Sequence, residues 1–472
     1  MFFIFLSWHW FLCRNTSYST RVRRNSSSIL NPQPVTKKLH NHILFIAFFA
    51  NLMAKIAYII FIKLYPLVAQ FIALFNKKAQ LWVAGRRKIF QHIHNKLQTD
   101  NRKKIWMHCS SLGEFEQGLP LIEELKIKYP SYSFVLTFFS PSGYENEKNN
   151  IAADYIFYMP MDGSANAKKF YDIVKPSLVV FVKYEFWFYY LYEAKQRNIP
   201  LLLVSGIFRI GQPFFAWYGD LHRQMLQCFT HLFVQNTEAL TLLKAININN
   251  VSVAGDTRFD RVLEIAEDFK PLPLIENFCA NKKVIVAGST WTDDDEALDH
   301  YTNTYKDYRF IIAPHDISEE RLKECESLYH HSVRYSAFQT SNIAHRTSNI
   351  NTLIIDNIGM LKYLYKYATI CYVGGGFGAD GVHNLLEAAV YNKPVIIGPE
   401  YEKYFEAVEL IEKEGAFSVE NALELEELFN ELFEDEDLYN YCAAAAGNYV
   451  RSKTGATAGV MQYIQEKRLL TN

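Results

Sequence analysis

Residues 373–406 constrain the fold of this chain more than any other stretch. The apolar run 370–373 is rich in β-branched and aromatic residues and predicts a buried strand. Five glycines follow within eight residues, and the apolar pattern that resumes over 384–389 predicts a helix. A second apolar run, 394–399, predicts another strand. Strand, glycine turn, helix and strand form one α/β crossover unit, in which the helix N-terminus is directed at the turn.

A glycine turn of this kind suits a phosphate group. Glycine lets a ligand approach the backbone, and exposed N–H groups with a helix dipole favour an anion. Gly375 lies in the turn, and His383 and Asn384 lie at the predicted helix start as donors. Glu387 lies one turn further on, where a carboxylate suits a pair of ribose hydroxyls. The alternative interpretation is a turn that only joins two strands.

Two series of short apolar runs alternate with helical patterns and predict two parallel sheets. The predicted domains are Rossmann-like halves over 104–270 and 271–472, with the boundary near 260–282. Such halves place a ligand cleft between them, at the carboxyl ends of the strands. The predicted strands are 105–109, 134–138, 178–182, 201–204 and 231–234 in the first half, and 284–287, 310–313, 352–355, 370–373 and 395–397 in the second.

Charge is distributed very unevenly along the chain. Residues 1–104 contain 17 Lys or Arg and one acid, whereas the remaining residues contain 32 basic and 49 acidic side chains. A basic N-terminal segment on an acidic body indicates an anionic surface as partner. Nucleic acid is one such surface, but the basic residues flank an apolar stretch, which favours a membrane and predicts no nucleic acid.

The N-terminal region divides into a predicted disordered extension, 1–42, and a predicted membrane-anchor helix with a basic segment, 43–103. Met53 is the natural initiator if the start is over-long. Two lysines inside the apolar stretch would each cost about 2.5–3.5 kcal/mol in a spanning helix, so a helix lying in one leaflet is favoured. The alternative is a soluble core helix with a basic loop. Residues 77, 78 and 86–88 are the cations expected to meet lipid headgroups.

The sequence does not predict a metal site or disulfides. Seven cysteines are scattered without a CxxC pair, which fits a reduced body. The acidic run 292–296 fits a helix N-cap with an acidic first turn better than a metal-binding motif. His315 lacks a partner His or Cys nearby, so it is an improbable metal ligand.

Several charged side chains follow predicted strands of the first half. Glu114 lies in the turn after the first strand, where a general base would face the cleft, or where an acid would be favoured by the dipole of a helix first turn. Lys183 and Glu185 follow another strand and either orient substrate or pair with surface neighbours. Arg209 and Arg258 suit a carboxylate or phosphate, although each alone is more often a structural ion pair.

The second half offers neutral contacts at the same ends of its strands. Ser289 and Thr290 follow its first predicted strand and are candidate contacts to phosphate or sugar. The segments 314–315 and 356–360 close the next two strands and are expected to line the same nucleotide pocket.

Seven collinear motifs resemble one family, the 3-deoxy-D-manno-octulosonic acid (Kdo) transferases. These are membrane-associated glycosyltransferases of lipopolysaccharide assembly in Gram-negative bacteria, and the resemblance extends from Met53 to the C-terminus. It implies a GT-B fold, in which two Rossmann-like domains face a central cleft behind an N-terminal membrane-associated helix. The motifs are SLGE (111–114), PMD (160–162), YEFW (184–187), GDTRFD (255–260), GST (288–290), DNIG (356–359) and GGFGADGVHNLLEAA (375–389).

The resemblance also implies a reaction. Kdo would move from CMP-Kdo to lipid IV-A, with inversion and without a metal or cofactor, at the cytoplasmic face of the inner membrane. The first domain would bind the acceptor and the second the CMP-sugar. Glu114 would be the general base, and Glu185 and Arg258 would stabilise the transition state. The implied CMP-binding residues are Pro314, His315, Ile358, Gly359, Met360, Asn384, Leu385, Leu386 and Glu387, with further donor or acceptor contacts at Ser111, Gly113, Lys183, Arg209, Ser289, Thr290, Gly375 and His383.

The chain departs from the family pattern at individual positions. Arg258 stands where the family usually has Lys, and His315 where Arg usually follows the proline. The other departures are Met360 for Glu, Val382 for the second Gly of a GGHN pattern, and Phe188 for Pro. Three alternatives remain at this point. One is a GT-B transferase that uses a UDP- or GDP-sugar on a lipid-linked acceptor, one is a membrane-tethered binding protein without activity, and one is a nucleotide-sugar epimerase, which would not need the anchor.

Overall fold

The computed structural model describes residues 35–340, 350–379 and 381–471. The chain divides into two units, residues 1–53 and 54–472. In the first unit the described residues, 35–53, are all helical. Helix formation therefore begins inside the stretch expected to be an extension, and the rest of that expectation, residues 1–34, lies outside the described residues. The two sheets and the candidate site belong to the second unit.

Two parallel sheets of seven strands each form the second unit. Their strand orders are β3-β2-β1-β4-β5-β6-β7 and β10-β11-β9-β8-β12-β13-β14. The strands are β1 (Lys104–Cys109), β2 (Ser133–Phe138), β3 (Tyr155–Tyr158), β4 (Pro176–Val182), β5 (Leu201–Gly206), β6 (His231–Val234), β7 (Val251–Val253), β8 (Val284–Thr290), β9 (Arg309–Pro314), β10 (Ser332–Arg334), β11 (Thr352–Ile354), β12 (Ile370–Val373), β13 (Val395–Ile397) and β14 (Ala416–Ser418).

Helices cover both faces of each sheet. They are α1 (Val35–Ile72), α2 (Lys77–Gly85), α3 (Ile89–Leu97), α4 (Leu112–Lys128), α5 (Pro141–Glu147), α6 (Ser164–Val174), α7 (Phe188–Gln196), α8 (Asp220–Leu226), α9 (Thr237–Ala245), α10 (Thr257–Glu267), α11 (Pro273–Cys279), α12 (Thr292–Thr304), α13 (Glu319–Leu328), α14 (Tyr335–Thr340), α15 (Leu361–Leu364), α16 (Leu386–Ala389), α17 (Phe405–Glu412), α18 (Ala422–Glu434), α19 (Glu436–Ser452) and α20 (Ala456–Glu466), with 3₁₀ turns at Pro213–Phe215 and Tyr365–Tyr367.

The central strands are mostly apolar and buried because helices cover both of their faces. All six residues of β1 are buried. Successive side chains point to opposite faces, so Ile105 and Met107 pack in one core and Trp106 in the other. The prediction of two Rossmann-like domains in a GT-B arrangement is confirmed.

Short edge strands were not expected from the sequence. Four of them, β3, β7, β10 and β14, are three or four residues long, and all four lie at the outer edges of the sheets. An edge strand pairs with only one neighbour, and these four are too short to contain a long apolar run. The sequence pattern that identifies a strand is therefore weak at an edge. The C-terminal helix α20 returns to the first sheet, where Val460 and Ile464 complete its core.

Residues Asn51–Ile72 of α1 are long and apolar enough to cross a membrane, by length and composition alone. From residue 54 onward, one side of this helix packs on the first domain through residues at helical spacing, Ala54, Tyr58, Phe61, Tyr65 and Ala69. The Tyr58 hydroxyl donates to Asp162 Oδ2 at 2.5 Å, and the same carboxylate oxygen accepts from the backbone N–H of Tyr189 at 3.1 Å. The helix thus contacts the loop that precedes α6 and the first turn of α7.

Arg86 does not extend towards solvent as a headgroup contact would. Its guanidinium lies 4.0 Å from the centre of the Trp82 ring, and it donates to the carbonyl oxygen of Phe139 at 2.8 Å. Burial lowers the pKa of Arg86 to about 9. The neighbouring cations Arg87 and Lys88 are exposed.

Candidate active site

The candidate catalytic groups follow the two strands at which each sheet reverses its order. In the first sheet β1 and β4 are neighbours, and Glu114 and Glu185 follow them. In the second sheet β8 and β12 are neighbours, and residues 288–290 and 374–376 lie at their carboxyl ends. Ligands of open parallel sheets bind at such reversal points, because the connections there diverge and leave a crevice.

Glu114 lies in the first turn of α4, because this helix begins at Leu112. Its Oε2 accepts a hydrogen bond from the backbone N–H of Ser110. Burial of the carboxyl group and the negative charge of Glu185 raise its pKa to about 8, and the N–H of Ser110 and the charge of Lys183 oppose this rise. Ser111 is the N-cap residue of α4 and makes no side-chain cap hydrogen bond, and a Cβ at Gly113 would meet no atom within 4 Å.

Glu185 is only 8% exposed and is held by two donors. Its Oε2 accepts from Trp187 Nε1 at 2.5 Å and lies 3.1 Å from Nε2 of His108. Both partners come from buried parts of the first domain, so the orientation of this carboxylate is fixed before any ligand binds.

Arg258 joins the two domains. Its Nε donates to Asp256 Oδ2 at 2.9 Å, and its Nη1 donates to Glu406 Oε1 at 2.7 Å. Asp256 is buried, and although burial alone would raise its pKa, the charge and hydrogen bonds of Arg258 lower it. Gln117 and Gln235 also donate to Asp256, at 2.9 Å each. The guanidinium is therefore positioned by a fixed partner, Asp256, and by a second carboxylate from across the cleft.

The other predicted cations of the first domain differ in their surroundings. Burial, and then the charge of Arg258, lower the pKa of Lys183, while the charges of Asp256, Glu406 and Glu114 oppose this. These groups therefore surround a single ammonium group. Arg209 is exposed, and its backbone N–H donates to Gln212 Oε1 at 3.0 Å.

The glycine turn is held by close backbone packing. Gly375 has φ +91°, and a Cβ at this position would lie 2.6 Å from the carbonyl oxygen of Gly381. Its N–H donates to Asp294 Oδ2 at 2.8 Å, and the Tyr372 hydroxyl donates to the other oxygen of Asp294 at 2.6 Å. Asp294 lies in the first turn of α12, so the acidic run caps that helix, as expected, and also ties down the turn.

Three aromatic rings lie side by side next to the turn. Trp291 and His315 stack with their centres 4.7 Å apart, and His315 and His383 stack at 4.4 Å. Trp291 Nε1 donates to His383 Nε2 at 3.1 Å. Ser289 and Thr290 lie at the end of β8 directly before Trp291, Ser289 with φ +56°. The carboxyl ends of β8 and β9 and the glycine turn thus lie next to one another.

The helix after the glycine turn is one turn long, Leu386–Ala389, and does not begin at Asn384 as predicted. A helix this short has only a small dipole. Individual backbone N–H groups and side chains are therefore the groups that could bind an anion here. Asn384 Nδ2 donates to Glu387 Oε1 at 3.0 Å, and burial raises the pKa of Glu387 to about 7. Leu385 and Leu386 are fully buried, so they offer a ligand only their backbone.

The remaining predicted nucleotide segments end neighbouring strands. Pro314 closes β9, and His315 donates its N–H to the carbonyl oxygen of Thr290 at 3.0 Å. Gly359 has φ +93°, Ile358 is 87% exposed, and Met360 is partly buried against the second core. Both segments lie at the carboxyl edge of the second sheet, as predicted.

The sequence-based selection of site residues omitted His108, Asp256, Asp294 and Glu406. Each holds a selected residue by a hydrogen bond of 3.1 Å or less. A signal existed for His108, which is a polar residue inside an apolar strand. No local signal pointed to Glu406, because its partner is 148 positions away.

In the part of the chain that the structure describes, no three His, Cys, Asp or Glu side chains are grouped as metal ligands would be. The expectation of a metal-independent reaction stays a prediction. The six described cysteines are free and buried.

Comparisons with known proteins agree with this architecture. Residues 39–261 match the family described as 3-deoxy-D-manno-octulosonic-acid transferase (kdotransferase). A UDP-GlcNAc 2-epimerase from Neisseria meningitidis, solved with UDP-GlcNAc, superposes with a TM-score of 0.56 at 17% identity, over 77% of this chain and 100% of that one. At that identity the similarity concerns the fold alone.

Two curated proteins are similar to this chain in sequence. A bifunctional glycosyltransferase/methyltransferase of Fusobacterium nucleatum is 29% identical over 75% of this chain, but the chain spans only 58% of that protein. A 3-deoxy-D-manno-octulosonic acid transferase of Aquifex aeolicus is 30% identical over 335 residues, which are 70% of this chain and 85% of the relative. By this match the chain belongs to the Kdo transferase family of glycosyltransferases.

Proposed function

We propose that this protein transfers Kdo from CMP-Kdo to lipid IV-A with inversion, without a metal, and with Glu114 as the general base. The observation that carries the proposal is the state of Glu114. This carboxylate lies at the reversal point of the first sheet, and its pKa is raised to about 8 by burial and by Glu185. A base with a pKa near the working pH combines a useful ionised fraction with a strong tendency to accept a proton.

The transfer step requires three groups at the cleft. The acceptor hydroxyl oxygen forms a bond to the anomeric carbon of Kdo, and its proton moves to Glu114. The bond from that carbon to the phosphate oxygen of CMP breaks, and CMP leaves with the electron pair. Negative charge therefore grows on the phosphate, where Lys183 and Arg258 supply compensating positive charge.

The second domain fits a nucleoside monophosphate at the donor end. The glycine turn offers backbone N–H groups for one phosphate, and Asn384 and Glu387 offer an amide and a carboxyl for ribose hydroxyls. Arg258 can contact the Kdo carboxylate while Asp256 holds the other side of its guanidinium. In this arrangement Glu406 competes with the donor for one arm of Arg258.

We place the protein at the cytoplasmic face of the inner membrane, with α1 as its anchor. The side of α1 that faces away from the first domain is apolar and exposed, and Leu67 and Phe71 in the helix and Leu74 in the turn after it are each more than 60% exposed. A groove of about 1050 Å³ runs beside this part of the helix, and its cationic lining residues are Arg86, Arg87, Lys88 and Lys169, with no Asp or Glu. An apolar surface beside such a groove complements an anionic amphiphile.

The direct test of the reaction is a transfer assay in detergent with CMP-Kdo generated in situ, lipid IV-A and EDTA. Labelled product in the presence of EDTA is the expected result. No product together with measurable CMP binding would contradict the proposed acceptor. No CMP binding, but binding of UDP or GDP, would replace the donor and favour a different sugar nucleotide.

The membrane proposal is tested with vesicles of phosphatidylethanolamine and phosphatidylglycerol. The triple variant Leu67→Glu, Phe71→Glu, Leu74→Glu changes only exposed side chains, and it should remain in the supernatant when the parent sediments with the vesicles. A matched control is Ile127→Glu, Ile151→Glu, Ile210→Glu, whose side chains are at least as exposed but lie elsewhere. Sedimentation of the α1 variant with the vesicles would contradict the anchor.

A further inference from the structure

His108 is a polar side chain inside the first core, and the proposed reaction does not use it directly. It is fully buried, and its ring packs against Phe181 with the ring centres 5.1 Å apart. Both ring nitrogens nevertheless have partners. Nδ1 lies 2.9 Å from Thr137 Oγ1 and 3.1 Å from the Thr137 carbonyl oxygen, and Nε2 lies 3.1 Å from Glu185 Oε2. A buried imidazole with this environment links the core to a carboxylate of the cleft.

Thr137 can satisfy Nδ1 of His108 with or without a proton. Trp106 Nε1 donates to Thr137 Oγ1 at 2.8 Å, so the hydroxyl proton is available to Nδ1 as a donor. When Nδ1 carries a proton instead, the carbonyl oxygen of Thr137 accepts it. A neutral ring carries one proton, and because a carboxylate oxygen only accepts, the form that pairs with Glu185 carries that proton on Nε2 and accepts the Thr137 hydroxyl at Nδ1.

Glu185 therefore receives two N–H groups, one from His108 and one from Trp187. A carboxylate that accepts hydrogen bonds from two donors in a buried place is stabilised in its ionised form. Without the imidazole donor, the same buried carboxylate would bind a proton more readily.

We infer that His108 is a positioning residue, which donates from Nε2 to Glu185 and holds this carboxylate, with its negative charge, in place beside the proposed base Glu114. The inference rests on the proposed function for the role of Glu114 as base. Its electrostatic part rests on the places of the two carboxylates, which follow the neighbouring strands β1 and β4. The negative charge of Glu185 is the largest electrostatic cause, after burial, that raises the pKa of Glu114.

Other charged and titratable groups also face this pair. Lys183 lowers the pKa of Glu114, and the thiol of Cys109 and the phenol of Tyr184 lie near enough for the charge of Glu114 to raise their pKa values. Arg258, Asp256 and Glu406 act on Lys183 from further out. The side chain of His108 is hydrogen-bonded to Thr137 and Glu185, so a change of this side chain reaches Glu114 through Glu185.

Two variants separate positioning from simple packing. His108→Leu fills the core but removes the donor, whereas His108→Gln places an amide N–H near the position of Nε2 and restores it. The readout is the titration of the Glu114 carboxyl carbon by ¹³C NMR in protein with labelled glutamate, with the signal assigned by its loss in Glu114→Gln. This measurement needs no substrate.

In His108→Leu we expect the Glu114 titration midpoint to fall by about one pH unit, because protonated Glu185 no longer repels the ionised form. In His108→Gln the midpoint should stay at the parent value. In the transfer assay, His108→Leu should lower kcat by about 100-fold with little change in the KM of the donor. His108→Gln should recover most of that loss.

An unchanged Glu114 midpoint in His108→Leu, or equal midpoints in the Leu and Gln variants, would overturn the inference. If His108→Leu does not fold, Thr137→Val tests the same linkage from the other side. The carbonyl alone then accepts from Nδ1, so either the imidazole is positively charged or Glu185 is protonated, and the Glu114 midpoint again falls. A shifted midpoint in a protein that transfers no Kdo would refute the proposed function and leave the linkage intact.

Discussion

The two halves of the cleft are held in place by different kinds of contact. At the reversal point of the first sheet, charged side chains are held by other side chains, as in the contacts of Glu185 with Trp187 and of Arg258 with Asp256. At the reversal point of the second sheet, the glycine turn is held largely by backbone packing and by one buried carboxylate, Asp294. The first arrangement sets charge and proton affinity, and the second sets the shape of a ligand site.

This difference separates chemistry from binding. Changes in the first half should alter kcat and the pH profile, because they act on groups whose pKa values depend on burial and on each other. Changes in the second half should alter the affinity for the nucleotide and leave the pH profile in place. The following experiments test this division.

Replacing Glu114 should have the largest effect. Glu114→Gln keeps the size of the side chain but removes the base, so kcat should fall by about 10²–10⁴-fold. CMP affinity by calorimetry and the thermal midpoint should stay near the parent values. Glu124→Gln, an exposed position on the same helix, is the matched control. Near-normal turnover of Glu114→Gln would remove Glu114 from its role.

Replacing Arg258 should reduce activity and stability together. Arg258→Ala removes one stabilising cation, for which a loss of about 10²–10³-fold in kcat/KM is typical. It also leaves Asp256 buried without its cation, which should lower the free energy of unfolding by about 3 kcal/mol. Arg258→Lys should restore most of the stability in urea titrations. An Ala variant with parent kcat/KM would show that the ion pair is only structural.

Replacing Gly375 should weaken nucleotide binding and spare the chemical step. An alanine there would be strained at φ +91° and would have its Cβ 2.6 Å from the Gly381 carbonyl oxygen. A distortion worth about 1.4 kcal/mol raises the Kd for CMP about tenfold. Gly459→Ala, which has no atom within 4 Å of the added Cβ, is the control. An equal loss in kcat at saturating donor would contradict the division between the halves.

The pH dependence of kcat/KM should also differ between variants of the two halves. Because Glu114 must be ionised to accept a proton, kcat/KM should rise with pH and level off above about 8. In Glu185→Gln the repelling charge is gone, so the pKa of Glu114 falls and the rise should move to lower pH. In Gly375→Ala the rise should stay where it is. A profile that moves with the glycine variant but not with Glu185→Gln would reverse the assignment.

The smallest effect is expected at Glu406. Glu406→Gln removes the carboxylate that competes with the donor for Arg258, so the KM of the donor should fall by about threefold, the scale of a partly exposed ion pair. Steady-state kinetics with CMP-Kdo would measure it. A raised KM would show that Glu406 positions Arg258 for the donor rather than competing with it.

Much of this molecule is predictable from local patterns. Continuous apolar runs such as those of β1 and β12 identify central parallel strands, because both faces of such strands are covered. Strand ends followed by charged or glycine residues identify the cleft, because parallel strands bring their carboxyl ends to one edge. The four short edge strands were missed because pairing, rather than burial of a long run, defines them.

Helix starts near the site were predicted less well. Glu114 belongs to a helix that begins two residues before it, and the helix after the glycine turn begins two residues later than its apolar pattern does. At both positions tertiary contacts decide the boundary. The backbone N–H of Ser110 binds the Glu114 carboxylate, and the loop after Gly381 is held against Tyr404 and Glu400.

By itself, the sequence determined the two-sheet architecture, the position of the cleft and the side chains that border it. These follow from periodicity and from the short-range conformational properties of glycine and of apolar residues. Two features depend on the folded arrangement. One is the pairing of charges, such as Arg258 with Glu406, and the other is the contact of His108 with Glu185 through the core. The physical reason is that electrostatic interactions depend on distance and burial in three dimensions, and the partners concerned are 77 and 148 positions apart along the chain.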